Sequence, residues 1–209
     1  MSPMSVPSGI IVRLPAADLE DLVGIVEVLV QERLTVFAAP EALLDPLRQM
    51  FGARALFGAH SVADADGLRA ARAGGAEFVL ADAVDDEMVR IAADEASTLF
   101  APALTPTEVR RVLELGVAGA MLWPADIVGH VMAGHLARAG LVERVVPSGG
   151  VGAFAAGEWL KHGAPAACVD DTLLGDAASG GDLGQLRSRC ASFRKAMQQA
   201  VAHRGGVED

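Results

Sequence analysis

Pro147-Ser148-Gly149-Gly150 is a short loop whose residue types could hold an anion. Glycines let backbone N–H groups approach a ligand closely, and a helix starting just afterwards adds partial positive charge. A second loop, Asp170-Asp171-Thr172, offers a hydroxyl at Thr172 beside two carboxylates. Those carboxylates would repel a phosphate unless a cation stood between them. His60, Asp82, Asp170 and Asp171 are residue types that bind a divalent metal or move protons. They form no compact ligand motif, so their meeting depends on the fold, and helix caps and solvated loop residues are the commoner reading of Asp just before helices. Trp123 is either a pocket wall or a core or subunit-interface aromatic. His130 and His135 stand about 140° apart on an ideal helix, too far round to share a metal. They read as surface or interface residues. Cys168, inside an apolar run, reads as core packing.

The elements that must position these residues alternate about eight times. Strands are expected at 10–14, 34–37, 54–59, 78–81, 98–101, 118–123, 144–146 and 166–169. Helices are expected at 18–32, 40–51, 62–73, 85–95, 105–115, 127–139 and 153–162, with a closing helix at 183–202 after a Gly/Ser/Asp linker at 175–181. Leu19, Leu22, Val23, Val26 and Leu29 repeat at helical spacing, Pro40 opens a helix, and Gly74-Gly75 closes one. Thr105-Pro106-Thr107-Glu108 has the form of a capping box. Eight strand–helix units without a long linker predict an α/β protein with a single (β/α)8 TIM barrel over residues 10–203, between tails 1–9 and 204–209. In such a barrel the ends of strands three, four, six, seven and eight share one rim. The loops after strands seven and eight commonly hold a phosphate there.

Composition narrows the partners. The chain of 209 residues suits one barrel, and 52% hydrophobic content supplies its core. A net charge of -10 argues against nucleic acid, which needs clustered Lys and Arg. No apolar run reaches the roughly 18 residues of a membrane span. The Ser/Pro-rich start lacks the basic and apolar regions of a signal peptide. Two cysteines without CxxC spacing fit reduced thiols, so a cytoplasmic location is expected.

Several short motifs, in order, resemble one family. Gly58-Ala59-His60-Ser61-Val62 is similar to its GAGTV after strand three, and Gly74-Gly75-Ala76-Glu77-Phe78 to its AGAxF. Leu122-Trp123-Pro124-Ala125 resembles its FFPA, and Pro147-Ser148-Gly149-Gly150-Val151 its PTGGI phosphate loop. Over roughly residues 10–174 the chain resembles the 2-keto-3-deoxy-6-phosphogluconate (KDPG) and 4-hydroxy-2-oxoglutarate (KHG) aldolases, class I aldolases on a TIM barrel. The resemblance implies a lyase acting on 2-oxo acids through a strand-six lysine imine and a strand-two glutamate, in a homotrimer. Met121 stands at the lysine position and Thr35 near the glutamate position, and Met121 cannot form an imine. Thr35-Val36-Phe37-Ala38-Ala39 also lacks the family's arginine, and Asp170-Asp171-Thr172 replaces its GGS. The chain's two lysines, Lys161 and Lys195, fall on predicted helices. No confident catalytic residue emerges. The ligand-binding set implied is Ser61, Trp123, Pro147, Ser148, Gly149, Gly150 and Thr172.

Three readings remain open. The first is a family member without the lysine mechanism, needing no cofactor. The second is a metal-assisted lyase or isomerase using His60, Asp82, Asp170 and Asp171. The third is a non-catalytic protein that binds a small organic acid or serves in assembly.

Overall fold

The structure is a computed structural model describing residues 6–205. Its strands are β1 (Gly9–Arg13), β2 (Val36–Ala39), β3 (Leu56–Val62), β4 (Val79–Ala81), β5 (Leu99–Ala103), β6 (Gly119–Leu122), β7 (Val145–Pro147) and β8 (Ala166–Val169). The helices are α1 (Leu19–Gln31), α2 (Glu41–Phe51), α3 (Ala65–Ala73), α4 (Asp86–Asp94), α5 (Pro106–Glu114), α6 (Ala125–Val128), α7 (Val131–Arg138), α8 (Ala153–Lys161), α9 (Asp171–Leu174) and α10 (Leu183–Gly205). All strand pairs are parallel, in the order β7-β6-β5-β4-β3-β2-β1-β8. β7 and β8 lie side by side, and no ladder joins them among the described residues. The result is the expected (β/α)8 TIM barrel, nearly closed, with its seam between β7 and β8.

The strands are mostly apolar because parallel strands under helices are buried on both faces. One face packs outward: Val12, Phe37, Ala39, Phe57 and Leu122 join the helices in the main core. The other lines the lumen: Ile11, Ala38, Phe78, Leu80, Phe100, Met121, Val146 and Cys168. Two phenylalanines fill that lumen because glycines make room for them. A Cβ on Gly58 would stand 2.6 Å from the Phe78 ring, and one on Gly119 would meet the Phe100 ring at 2.9 Å. The barrel is therefore solid below its mouth, and ligand chemistry is confined to the strand ends.

Several elements depart from the sequence expectation, among them the short helix α9, where no helix is expected. β2 starts at Val36 rather than 34, because Arg33 at φ 64° and a bond from Leu34 N–H to the Leu29 carbonyl turn the chain out of α1. β3 continues through Val62, which pairs with Ala81 after a bulge at Ser61, and α3 begins only at Ala65 under its Asp64 cap. The helix expected over 127–139 is two helices, α6 and α7, broken at Gly129-His130. The 175–181 linker contains a single 3-10 turn over Ala177–Ser179. The expected tails fall partly outside the described residues, at 1–5 and 206–209, and α10 takes in residues 204 and 205. No helix among the described residues is long and apolar enough to cross a membrane.

Candidate functional site at the barrel mouth

Alternation along β1 places Arg13 on the face of Ile11, pointing up the lumen. Its guanidinium reaches over β2 to β3: Nε donates to His60 Nδ1 at 3.3 Å and Nη2 to Ser61 Oγ at 2.9 Å. Ser61 Oγ stands 3.0 Å from the same Nδ1, and His60 Nε2 lies 2.8 Å from the Leu14 carbonyl. A carbonyl can only accept, so Nε2 carries the proton and Nδ1 offers its lone pair. His60 is thus a neutral positioning group for Arg13. No carboxylate pairs with Arg13 among the described residues. A half-buried guanidinium with undirected N–H groups and no counter-ion has the chemistry to receive a carboxylate.

Burial first, and the Arg13 charge second, push His60 down to about 4 from 6.5, against the Leu14 hydrogen bond and the weaker pull of Asp82. Between those two values the unfolded chain binds the proton and the folded chain does not. The neutral His60 therefore supports the fold fully above pH 6.5, and that support is lost as pH falls toward about 4. The contribution is of the order of 3 kcal/mol. Thermal melts across this range should show the wild type losing stability more steeply on acidification than His60→Gln. Parallel curves would refute the assignment.

Across the mouth, Gly149 and Gly150 adopt φ 88° and 67°, a left-handed turn that favours glycine. The turn presents the Gly150 N–H to the seam. There it donates to Asp170 Oδ2 at 3.2 Å, while Thr172 N–H donates to Asp170 Oδ1 at 3.4 Å. The Thr172 hydroxyl donates to the Val151 carbonyl at 2.8 Å. The Gly150–Asp170 and Thr172–Val151 bonds stitch the β7 and β8 loops together where no ladder does. Ser148 is buried with its hydroxyl facing Cys168, whose thiol burial pushes up to about 12. Cys168 is thus an inert lumen-packing residue, as its apolar run implied.

The residues singled out from sequence divide sharply. His60 and Ser61 meet at Arg13, while Ser148, Gly149, Gly150, Asp170 and Thr172 meet at the seam. Pro147 ends β7 and pairs with Leu122. Trp123 is half-exposed and packs on Gly149 at the end of β6. Met121 is buried in the lumen wall, paired with Pro102 and Val146. Thr35 lies just before β2, whose lumen residues Val36 and Ala38 carry no ionisable group. Asp82 and Asp171 are exposed. Among the described residues, no three His, Cys, Asp or Glu side chains gather as a metal-binding group. The physical reason lies in the donors: both His60 nitrogens are engaged by protein, and so are both Asp170 oxygens. His130 precedes α7 and stacks edge-on against Phe154, while His135 lies within α7.

Arg13 is not among the residues that the motifs point to, although its place in the sequence carries a signal. It is a lone cation ending the apolar run Ile10-Ile11-Val12, two residues from a lumen isoleucine.

Comparison with known proteins agrees with this geometry. The KDPG and KHG aldolase family matches residues 8–186. A 2-dehydro-3-deoxy-phosphogluconate aldolase of Treponema pallidum is 27% identical over 133 residues, which cover 63% of this chain and 63% of the relative. The native KDPGal structure superimposes with a TM-score of 0.81 at 21% identity, over 96% of this chain and 99% of that one. A KDPG aldolase from Legionella pneumophila, with pyruvate captured as a covalent carbinolamine, gives a TM-score of 0.76 at 19% identity, covering 89% and 94%. At these identities the structural likenesses show the fold, and the family match over most of the chain shows the kinship. The barrel, the glycine loop after β7 and the matched span together place this chain in the KDPG and KHG aldolase family.

Proposed function

We propose that this member of the aldolase family binds a small 2-oxo or related organic acid at its barrel mouth and does not use a lysine imine. The observation that carries the reading is Met121, which fills the lumen wall of β6. Lys161 is on α8, bonded to Glu158, and Lys195 is exposed on α10. Neither can reach a carbonyl in the lumen. Lumen-facing Val36 and Ala38 of β2 supply no carboxylate to shuttle a proton. What the mouth retains is Arg13, aimed by His60 and Ser61, which suits the carboxylate end of such an acid. Binding without the family's lyase chemistry is the function this set supports. Treatment of the wild type with pyruvate and borohydride tests it, since a trapped adduct inside the barrel would refute the reading.

The same kinship implies a homotrimer. Ile127, Val131 and Phe154 are exposed by 72%, 61% and 69%, an apolar surface that a partner copy would cover. Sedimentation equilibrium should return three protomers, and a monomer at all concentrations would refute this assembly.

A further inference from the structure

Barrels commonly direct backbone N–H groups from the loops after strands seven and eight at a phosphate. Here one donor of each loop, Gly150 N–H and Thr172 N–H, is already directed at a single carboxylate, that of Asp170. Thr172 cannot offer its hydroxyl to a ligand either, because it bonds the Val151 carbonyl. Asp126 crowds the same loop: a Cβ on Gly150 would stand 2.7 Å from its Cβ and from its Oδ2. An arriving phosphate would meet two carboxylates and no uncommitted hydroxyl among these groups.

The direction taken by Asp170 is itself informative. It continues β8 one residue beyond the Val12–Val169 pair, so it is placed beside the end of β1 that carries Arg13. An ion pair between them would be the simplest way to neutralise both. Instead Asp170 turns to the seam and Arg13 turns to β3, and no carboxylate pairs with Arg13 among the described residues. The two charges divide the mouth into a self-filled anion cup and an open cationic end.

We infer that Asp170 is the resident anion of the β7–β8 cup, so that the ligand is a short carboxylic acid without a phosphate, held by its one negative end at Arg13. Asp170 is then the residue that determines specificity against phosphorylated acids. The inference rests on the small-acid reading for its ligand and on the seam hydrogen bonds for its exclusion, and the two can be tested apart.

Calorimetric titration of the wild type with inorganic phosphate should show no saturable binding. Asp170→Gly, which frees both donors and removes a charge, should bind phosphate at least about tenfold more tightly. Asp171→Gly, an exposed neighbour, should behave as wild type. Equal phosphate affinity in wild type and Asp170→Gly would overturn the inference, as would no binding by a folded Asp170→Gly. Because Asp170 also caps α9, a measurement on the unaltered protein stands beside the variant. Phosphoglycolate should raise its melting temperature no more than glycolate does, and a larger rise with phosphoglycolate would overturn the inference. Should glycolate fail to act while Asp170→Gly gains phosphate, the small-acid reading falls and the filled cup stands.

Discussion

Met121→Lys is expected to turn a protein inert to borohydride trapping into one that forms a covalent pyruvate adduct at position 121. The side chain sits at 3% exposure in the lumen wall, among Ile11, Phe100, Val146 and Cys168. An ammonium placed there is poorly solvated, and the Arg13 charge reaches as deep as Cys168. Both effects lower a lysine's proton affinity and expose its nucleophilic form. The same burial would cost stability, about 1–3 kcal/mol for a polar group without a fixed partner. Imine formation and turnover should separate in this variant. Nothing on the lumen face of β2 can carry protons, and His60 is bound on both nitrogens, so the roughly 10²–10⁴-fold of general acid–base catalysis is missing. Intact mass and peptide mapping after reduction read the outcome. A folded variant without adduct would show that position 121 does not face the ligand. Adduct confined to Lys161 or Lys195 in either protein would be surface chemistry and would leave Met121 without a role.

The barrel was legible because its signals are local and repeated. Short apolar runs, helix stops such as Gly74-Gly75 and the Thr105–Glu108 capping box all form as their residue types predict. Strand ends were harder. β3 runs to Val62 only because the Ser61 bulge keeps it paired with β4, a fact of its neighbour and not of its own sequence. The site was half legible. The Gly149-Gly150 turn and its position follow from residue type and order, and so does the missing lysine at Met121. The direction taken by Asp170 does not, because a carboxylate beside an arginine reads as an ion pair until the seam donors are seen. The hydrogen-bond partners of His60 and Asp170 are hidden for a related reason: that His60 Nε2 donates to the Leu14 carbonyl and that Asp170 Oδ2 accepts from Gly150 N–H depends on the folded neighbours and not on residue type. Arg13 was hidden by its context, since one charge ending a strand looks like a solvated boundary. Alternation from Ile11 and the reach to His60 and Ser61 together show that it points inward.

Arg13→Gln should abolish most acid binding while leaving the fold intact. Hydrogen bonds to a charged group are worth about 1.5–3 kcal/mol, so the affinity for pyruvate or glycolate should fall by about tenfold to a hundredfold. Arg13→Lys keeps the charge and loses the planar fork, so it should recover only part of the loss. Raising salt should weaken wild-type binding more than that of Arg13→Gln, because only the former relies on the charge. A second readout separates binding from mere support of the barrel. The Arg13 charge is the second cause of the lowered proton affinity of His60, after burial. Removing it should move the His60 titration upward from about 4, observable by NMR of its ring protons, without restoring the ordinary 6.5 because burial persists. If Arg13→Gln binds both acids as the wild type does and the His60 titration stays in place, the cation has no part in the site. If the titration moves but binding does not, Arg13 organises the rim without receiving the ligand. The expected result is both together. A neutral histidine fixed by Leu14 would then be the brace that keeps an unpaired arginine turned toward the ligand and away from the carboxylate on the next strand.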